Sequence, residues 1–388
     1  MKLTEPRRKV FLVNDLDALS QATEAIGKES VIGLDAERAS GFKYSNRAYL
    51  VQFSTSESIF LLDPTFFSSS DMLRLIETVN TKLWILHSAT QDIPCLRDLG
   101  FAPTAIYDTE LAARICGIEK FGLSSIALEL LGLEMEKEHS AADWSIRPLT
   151  PEMLNYAALD VDVLHELKTS LDQKVAELGR AQWLDQEFAR LLFFKPKPQP
   201  KNAWRNLPGI TKIKDERKLK IAASLYQKRD DIAKEKDVAP GRLIPDRSIM
   251  AAVDQLPATK RDLALNRDFQ GRASRSLLDE WWKAVQNSDS VDISEQELDP
   301  NHLPNHRSWE RRFPEAHLRL SELRPLVLAK AQELGLAPEI LLSPDTLRRV
   351  CFRPEKDVSA QLRSLGARDW QIELLATELE AVLEKLAN

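Results

Sequence analysis

Residues Val31–Glu37 read VIGLDAE, an apolar run that closes on two carboxylates two positions apart. Val, Ile and Leu in a short run favour a strand. Side chains in a strand alternate faces, so Asp35 and Glu37 leave the sheet on one side, at its rim. Similar runs lie around it at Val10–Val13, Ala48–Ser54, Ser58–Asp63 and Leu83–His87, each bounded by turn residues. Helical periodicity covers Asp15–Ile26, Asp71–Val79, Gln91–Leu99, Leu123–Leu131 and one long stretch, Pro151–Leu178. The alternation predicts an α/β sandwich around a mixed sheet. The close succession of the strands at Val10, Val31 and Ala48 predicts antiparallel hairpins at its start.

Two further segments carry carboxylates. In LHSATQDIPCL a strand ending at His87 turns into a helix, with Asp92 in the first turn, where a carboxylate complements the helix dipole. In YAALDVDVL, Tyr156 and Asp160 are spaced i and i+4 and share one helix face, whereas Asp162 points elsewhere. Each segment alone has an ordinary reading as a solvated strand end, a helix terminus or an amphipathic face. Together they can bring four carboxylates into one cleft. Unpaired, such groups repel and raise one another's pKa values, so a cluster of this kind generally holds cations. Oxygen ligands suit Mg²⁺ and Mn²⁺.

The chain has 388 residues, with 53 Lys+Arg against 59 Asp+Glu and 43% hydrophobic residues. That composition is ordinary for a globular protein, and the length favours two or three domains. The start, MKLTEPRR, has no signal-like apolar run behind it, and no stretch approaches the ~20 apolar residues of a membrane span. A cytoplasmic protein with no membrane contact is the expectation. Cys95, Cys116 and Cys351 are few and far apart, which fits buried free thiols rather than disulfides or a zinc site.

Two Pro-rich or polar stretches divide the chain. They are a linker at 194–209 (FKPKPQPKNAWRNLPG lies here) and another at 287–312. Three blocks remain, 1–193, 210–286 and 313–388. The last two are helical and share landmarks. VAPGRLIPDRSI with Pro240 and Pro245-Asp246 matches LAPEILLSPDTL with Pro338 and Pro344-Asp345, at an offset of 98 or 99 residues. This grammar predicts a duplicated module. Charge is unevenly spread: residues 1–200 carry a net −8, residues 201–288 a net +7 and residues 289–388 a net −5. The basic middle block is the expected auxiliary contact with nucleic-acid phosphates.

In order and spacing, Asp35-x-Glu37, Asp92 and Tyr156-x-x-x-Asp160 resemble the three motifs of the DEDDy 3′→5′ exonucleases, and most of all their ribonuclease D branch. Tyr107-Asp108-Thr109, Lys137, Asp143-Trp144-Ser145 and Arg147-Pro148-Leu149 are similar to segments between those motifs, and the helical repeats resemble HRDC modules. The chain departs from the pattern at Ala36, where Thr is common, and at Lys228, where an aromatic is often found. The resemblance implies a ribonuclease-H-like DEDD exonuclease domain with a mixed sheet, followed by two all-α HRDC-like domains. It implies two divalent metal ions, Mg²⁺ or Mn²⁺, on Asp35, Glu37, Asp92 and Asp160, with Tyr156 orienting the attacking water. It also implies substrate contacts by His87, Lys137, Trp144 and Arg147. The expected activity is release of nucleoside 5′-monophosphates from RNA 3′ ends, in tRNA maturation above all, by an enzyme for which a monomer is favoured. Two other readings stay open: a DNA 3′→5′ exonuclease of repair type, and a non-catalytic RNA-binding scaffold.

Overall fold

The computed structural model describes residues 1–135, 142–198, 200, 202–293 and 303–387. A two-residue strand β1 (Lys2–Leu3) precedes a sheet built from β2 (Lys9–Val13), β3 (Val31–Arg38), β4 (Ala48–Ser54), β5 (Ser58–Leu62), β6 (Leu83–Leu86) and β7 (Ala105–Asp108). The sheet order is β2-β5-β4-β3-β6-β7. β3–β4–β5 is an antiparallel meander, of which the β3–β4 hairpin was expected. β2 differs from expectation: it pairs parallel to β5, so the chain crosses over through α1 (Leu16–Gly27) instead of turning back in a hairpin. β7 is an edge strand that the pattern AIYD did not announce. A short parallel pair joins β1 to β8 (Glu134–Met135).

Alternation along β3 separates two cores. Ile32, Leu34 and Ala36 face a layer with α1, α2 (Leu73–Asn80) and α3 (Ile93–Asp98). The opposite face meets α4 (Thr109–Ile115), α5 (Leu123–Leu131), α6 (Pro151–Asp162) and α7 (Leu164–Glu177). Gly33 lies on that second face. A Cβ there would sit 2.2 Å from the Ser54 hydroxyl and 3.2 Å from a Leu164 methyl, so glycine permits the close approach of α7.

The expected single helix over Pro151–Leu178 is two helices, broken at Val163. The cause is distant in sequence. Arg7 and Arg8 donate to the Asp162 carbonyl, and its fully buried carboxylate accepts from Arg7 Nε at 2.8 Å and Arg8 Nη1 at 2.9 Å. Side chains that capture a helical carbonyl kink the ladder at that point.

After α8 (Ala181–Leu191) come two helical groups. The first holds α9 (Glu216–Lys236), α10 (Pro240–Leu243), α11 (Asp246–Gln255), α12 (Lys260–Leu265), α13 (Arg272–Ser276) and α14 (Leu278–Gln286). The second holds α15 (Trp309–Arg312), α16 (Pro314–Glu333), α17 (Pro338–Leu341), α18 (Pro344–Phe352), α19 (Val358–Ser364) and α20 (Asp369–Ala387). The repeat is structural: α9–α10–α11 and α16–α17–α18 match, with Ile244 N–H donating to Pro240 O and Leu342 N–H to Pro338 O. Proline at the first helical position sets both short helices. Each stretch read as linker supplies a buried tryptophan to its neighbour, Trp204 to the first helical core and Trp309, against Phe352, to the second. Among the described residues the three cysteines are free and buried, and no helix is long and apolar enough to cross a membrane.

The two helical groups meet the α/β region differently. The first rests on the Ala39–Arg47 loop that leaves β3. Tyr44 Oη donates to Asp230 at 3.1 Å, Ser45 N–H to Asp237 at 2.8 Å, and the Arg242 guanidinium lies 4.0 Å over the Phe42 ring. The second shares the core of the α4–α7 layer. Trp183 stacks on Trp370 at 4.7 Å, and buried Glu187 accepts from both Arg368 and Trp370 Nε1. At Gly117 a Cβ would fall 2.1 Å from the Gly335 carbonyl. Removing one partner of a buried pair strands the other charge, so Arg368→Ala is expected to cost about 3 kcal/mol in urea unfolding. The double variant Glu187→Leu/Arg368→Leu should recover most of that loss; a double variant as weak as the single one would show that the ion pair is not what docks the group.

Candidate active site

Asp35 and Glu37 project from β3 on the α6 side, and Asp160 meets them from α6. Thr150 caps α6 by accepting from Met153 N–H at 3.3 Å, and Pro151 occupies its first turn, which sets the helix phase. One carboxylate oxygen from each of Asp35, Glu37 and Asp160 lies within 4.8 Å of the others. Asp92, 4% exposed, arrives from the start of α3. It stands at the N-cap position yet makes no capping bond; its side chain turns to Asp35 instead. Helix-terminus charge therefore does not explain Asp92.

These residues line a cleft of about 280 Å³ together with Arg38, His87, Ser88, Gln91, Leu123 and Tyr156. Burial is the largest influence on all four carboxylates and raises each pKa. The charges of Asp35, Asp160 and Asp92 raise Glu37 further, and Asp35 raises both Asp92 and Asp160. Arg38 opposes this at Asp35, Glu37 and Asp92, with Nη2 3.7 Å from Asp92. One guanidinium against four carboxylates leaves the cleft strongly negative. All-oxygen donors in a buried, negative cleft fit hard divalent cations.

Tyr156 is raised first by burial and then by Asp160, Glu37 and Asp35; its hydroxyl bonds the Asp160 carboxylate. It therefore keeps its proton at neutral pH. Trp144, 1% exposed, packs against it with ring centroids 6.3 Å apart.

A second layer holds the turn that carries Asp92. Ser88 has φ of 60°, a left-handed conformation that non-glycine residues seldom take. Three consecutive residues at the β7–α4 corner grip it. The Asp108 carboxylate accepts from Ser88 N–H at 3.2 Å and Ala89 N–H at 2.8 Å, while capping α4 through Glu110 and Leu111 N–H. Thr109 Oγ1 lies 2.9 Å from His87 Nδ1 and donates to Leu86 O. Glu110 accepts from the Ser88 hydroxyl. Burial pushes His87 down to about 4, with Glu110 opposing, so the imidazole is neutral at physiological pH.

The expected substrate-contacting residues fare differently. His87 lines the cleft, but as a neutral group. Trp144 is buried under Tyr156 and offers no face for a base to stack on. Arg147 is not free for phosphate. It binds Asp63, with Nη2–Oδ1 at 2.9 Å, and donates to the carbonyls of Trp144, Ile146 and Tyr49. Lys137 lies outside the described residues. Among the described residues that line the cleft, the cation is Arg38, which adjoins Glu37 in sequence. The Asp108 grip carried one sequence signal, an Asp just before a helix, legible as a cap but not as a clamp on another turn.

Family profiles match three parts of the chain: "3'-5' exonuclease" over residues 10–176, "HRDC domain" over 218–285 and "3' to 5' exonuclease C-terminal domain" over 302–383. Ribonuclease D of Bartonella henselae is 25% identical over 393 aligned residues, which cover 99% of this chain and 92% of that one. A crystal structure of a protein from Bifidobacterium adolescentis superposes with a TM-score of 0.91 at 32% identity, covering 99% of both chains. Escherichia coli RNase D shares the fold, with a TM-score of 0.71 at 20% identity over 97% of this chain and 99% of that one. Motif carboxylates converging at one cleft, and relatives that align over nearly the whole length, place the chain in the ribonuclease D family of 3′→5′ exoribonucleases.

Proposed function

We propose that this protein shortens RNA from the 3′ end, one nucleoside 5′-monophosphate at a time, and that its substrates are structured stable RNAs, tRNA precursors above all. The observation that carries the reading is the convergence of Asp35, Glu37 and Asp160, with Asp92 against Asp35. The Escherichia coli relative is described as an exoribonuclease involved in structured RNA processing. The proposed division of labour gives catalysis to residues 1–193, with helical domains at 210–286 and 313–388 joined by 194–209 and 287–312. The basic stretch 201–288 is the auxiliary contact for RNA phosphates; its net charge of +7 supports this.

Asp35, Glu37, Asp92 and Asp160 would hold two divalent ions, Mg²⁺ or Mn²⁺. Such a pair supplies charge neutralisation at both the attacking and the leaving oxygen of an in-line displacement. The chain's own groups do the positioning. Tyr156, protonated and bonded to Asp160, fixes a water by hydrogen bonding; it is too weakly acidic to serve as a base. Neutral His87 offers substrate a hydrogen bond rather than a charge. Arg38, 3.7 Å from Asp92, faces the phosphate that would enter the cleft. Asp108 is a positioning residue that acts through the Ser88 turn on Asp92.

Asp35→Asn and Asp160→Asn should each abolish mononucleotide release from 3′-extended tRNA precursor in Mg²⁺ or Mn²⁺, with unchanged circular dichroism; EDTA should do the same to the parent protein. Wild-type release in either variant would sink the assignment, and faster release from single-stranded DNA than from RNA would sink the RNA preference. Tyr156→Phe keeps the ring on Trp144 but loses the hydroxyl, so kcat should fall on the order of 100-fold, the scale of one positioned proton-handling group, with KM little changed. For Asp108→Asn the expectation is a 10–100-fold loss of turnover, typical of groups that orient metal ligands, partly relieved by raising the metal concentration. A loss that metal does not relieve would assign Asp108 to stability alone.

A further inference from the structure

The second helical group, net acidic by count, contains a concentrated basic surface. A groove of about 390 Å³ lies between α16, α17 and α18, lined by His306, Arg324 and Arg348 over an apolar floor that includes Val327, Leu342 and Leu347. Arg307 stands beside it: after burial, the charges of Arg348, Arg307 and Arg324 are what lower His306 below the usual imidazole range. None of these three arginines has a carboxylate partner among the described residues. Elsewhere in this group Arg319 pairs with Glu315, Arg349 with Asp345 and Arg363 with Asp369, while exposed Arg311 and Arg312 have no carboxylate partner among the described residues. Guanidinium groups that outnumber the one carboxylate in the lining, Glu339, favour an incoming polyanion.

A chain of polar side-chain contacts links the lining of the groove to the lining of the cleft. Ser88 and Leu123 line the cleft. The Ser88 hydroxyl bonds Glu110, Glu110 pairs with Arg114 at 3.3 Å, and Arg114 reaches Glu339 of the groove at 3.7 Å. Arg114 also lies 4.6 Å over the ring of Phe121, two residues from Leu123. Phe121, which is partly exposed, and Arg114, held by Glu110 and Glu339, join the two linings. Because the second group shares its core with the α/β region, cleft and groove are held at a fixed separation.

We propose that this groove is a binding site for the phosphates of single-stranded RNA upstream of the scissile end, with Arg324 and Arg348 as its principal contacts. The proposal rests on the exoribonuclease reading for the identity of the strand. Its apolar floor suits the faces of unstacked bases and its guanidiniums suit the backbone.

The test uses the full chain and reads binding in EDTA, by fluorescence anisotropy with a hairpin RNA bearing a long 3′ tail, over a range of salt concentrations. Each phosphate contact on a single strand contributes about 0.7 to the slope of log affinity against log salt. Arg324→Gln/Arg348→Gln is therefore expected to flatten the slope by about 1.4, and Arg324→Lys/Arg348→Lys to keep it. In Mg²⁺ the Gln variant should raise KM for the tailed RNA while leaving kcat on a trinucleotide unchanged. A parental slope and KM in the Gln variant would overturn the site, as would equal displacement of the RNA by polyglutamate of matched charge. Failure of the parent to release mononucleotides in Mg²⁺ would overturn only the exoribonuclease reading, since the salt slope is measured without hydrolysis.

Discussion

Burying four carboxylates against one another is the constraint around which the rest of the molecule is arranged. Burial raises the pKa of all four carboxylates and neighbouring negative charge raises Glu37, Asp92 and Asp160 further, against Arg38 at Asp35, Glu37 and Asp92 and hydrogen bonds at Asp35 and Asp160. A site so disfavoured without cations persists only if the scaffold over-determines it. Each carboxylate is accordingly fixed from behind. Gly33 lets α7 close on β3, Thr150 and Pro151 set α6, and the Asp108–Glu110 corner clamps the turn before Asp92. Hydrogen bonds from Asp108 and Glu110 hold the turn before Asp92, which is the kind of network that gives rigidity in a low-dielectric interior.

Much of this was legible in the amino-acid chain, for local reasons. Period-two alternation in VIGLDAE placed Asp35 and Glu37 on one face, and i,i+4 spacing placed Tyr156 and Asp160 together. The repeat was legible because proline fixes φ and favours helix starts, so Pro240 and Pro338 mark the same step in both groups. What could not be read depended on partners far away. The break at Val163 needs Arg7 and Arg8, and the parallel pairing of β2 needs a crossover. Arg147 shows the same limit from the other side. The family resemblance implied a substrate contact for it, but Asp63, more than eighty positions earlier, already holds its guanidinium. Trp144 was misread with it, since the ring packs inward on Tyr156.

Charge counts by block describe the chain too coarsely for the same reason. The second helical group is acidic in sum, yet Arg324 and Arg348, without carboxylate partners among the described residues, lie together at one groove. Field at a surface is set by which charges lack partners, and pairing is a property of the fold.

The two helical groups share the layout of α9–α10–α11 and α16–α17–α18 but attach in unlike ways, one through a surface loop and the other through a common core built on Trp183, Glu187, Arg368 and Trp370. That difference bears on inheritance by recombination. A group held by a few polar contacts to one loop can be exchanged between lineages, lost or regained with little disturbance to its host. A group whose tryptophan completes the host's interior cannot move without its socket. Over evolutionary time the first is free to diverge as an accessory, while the second must co-evolve with α8.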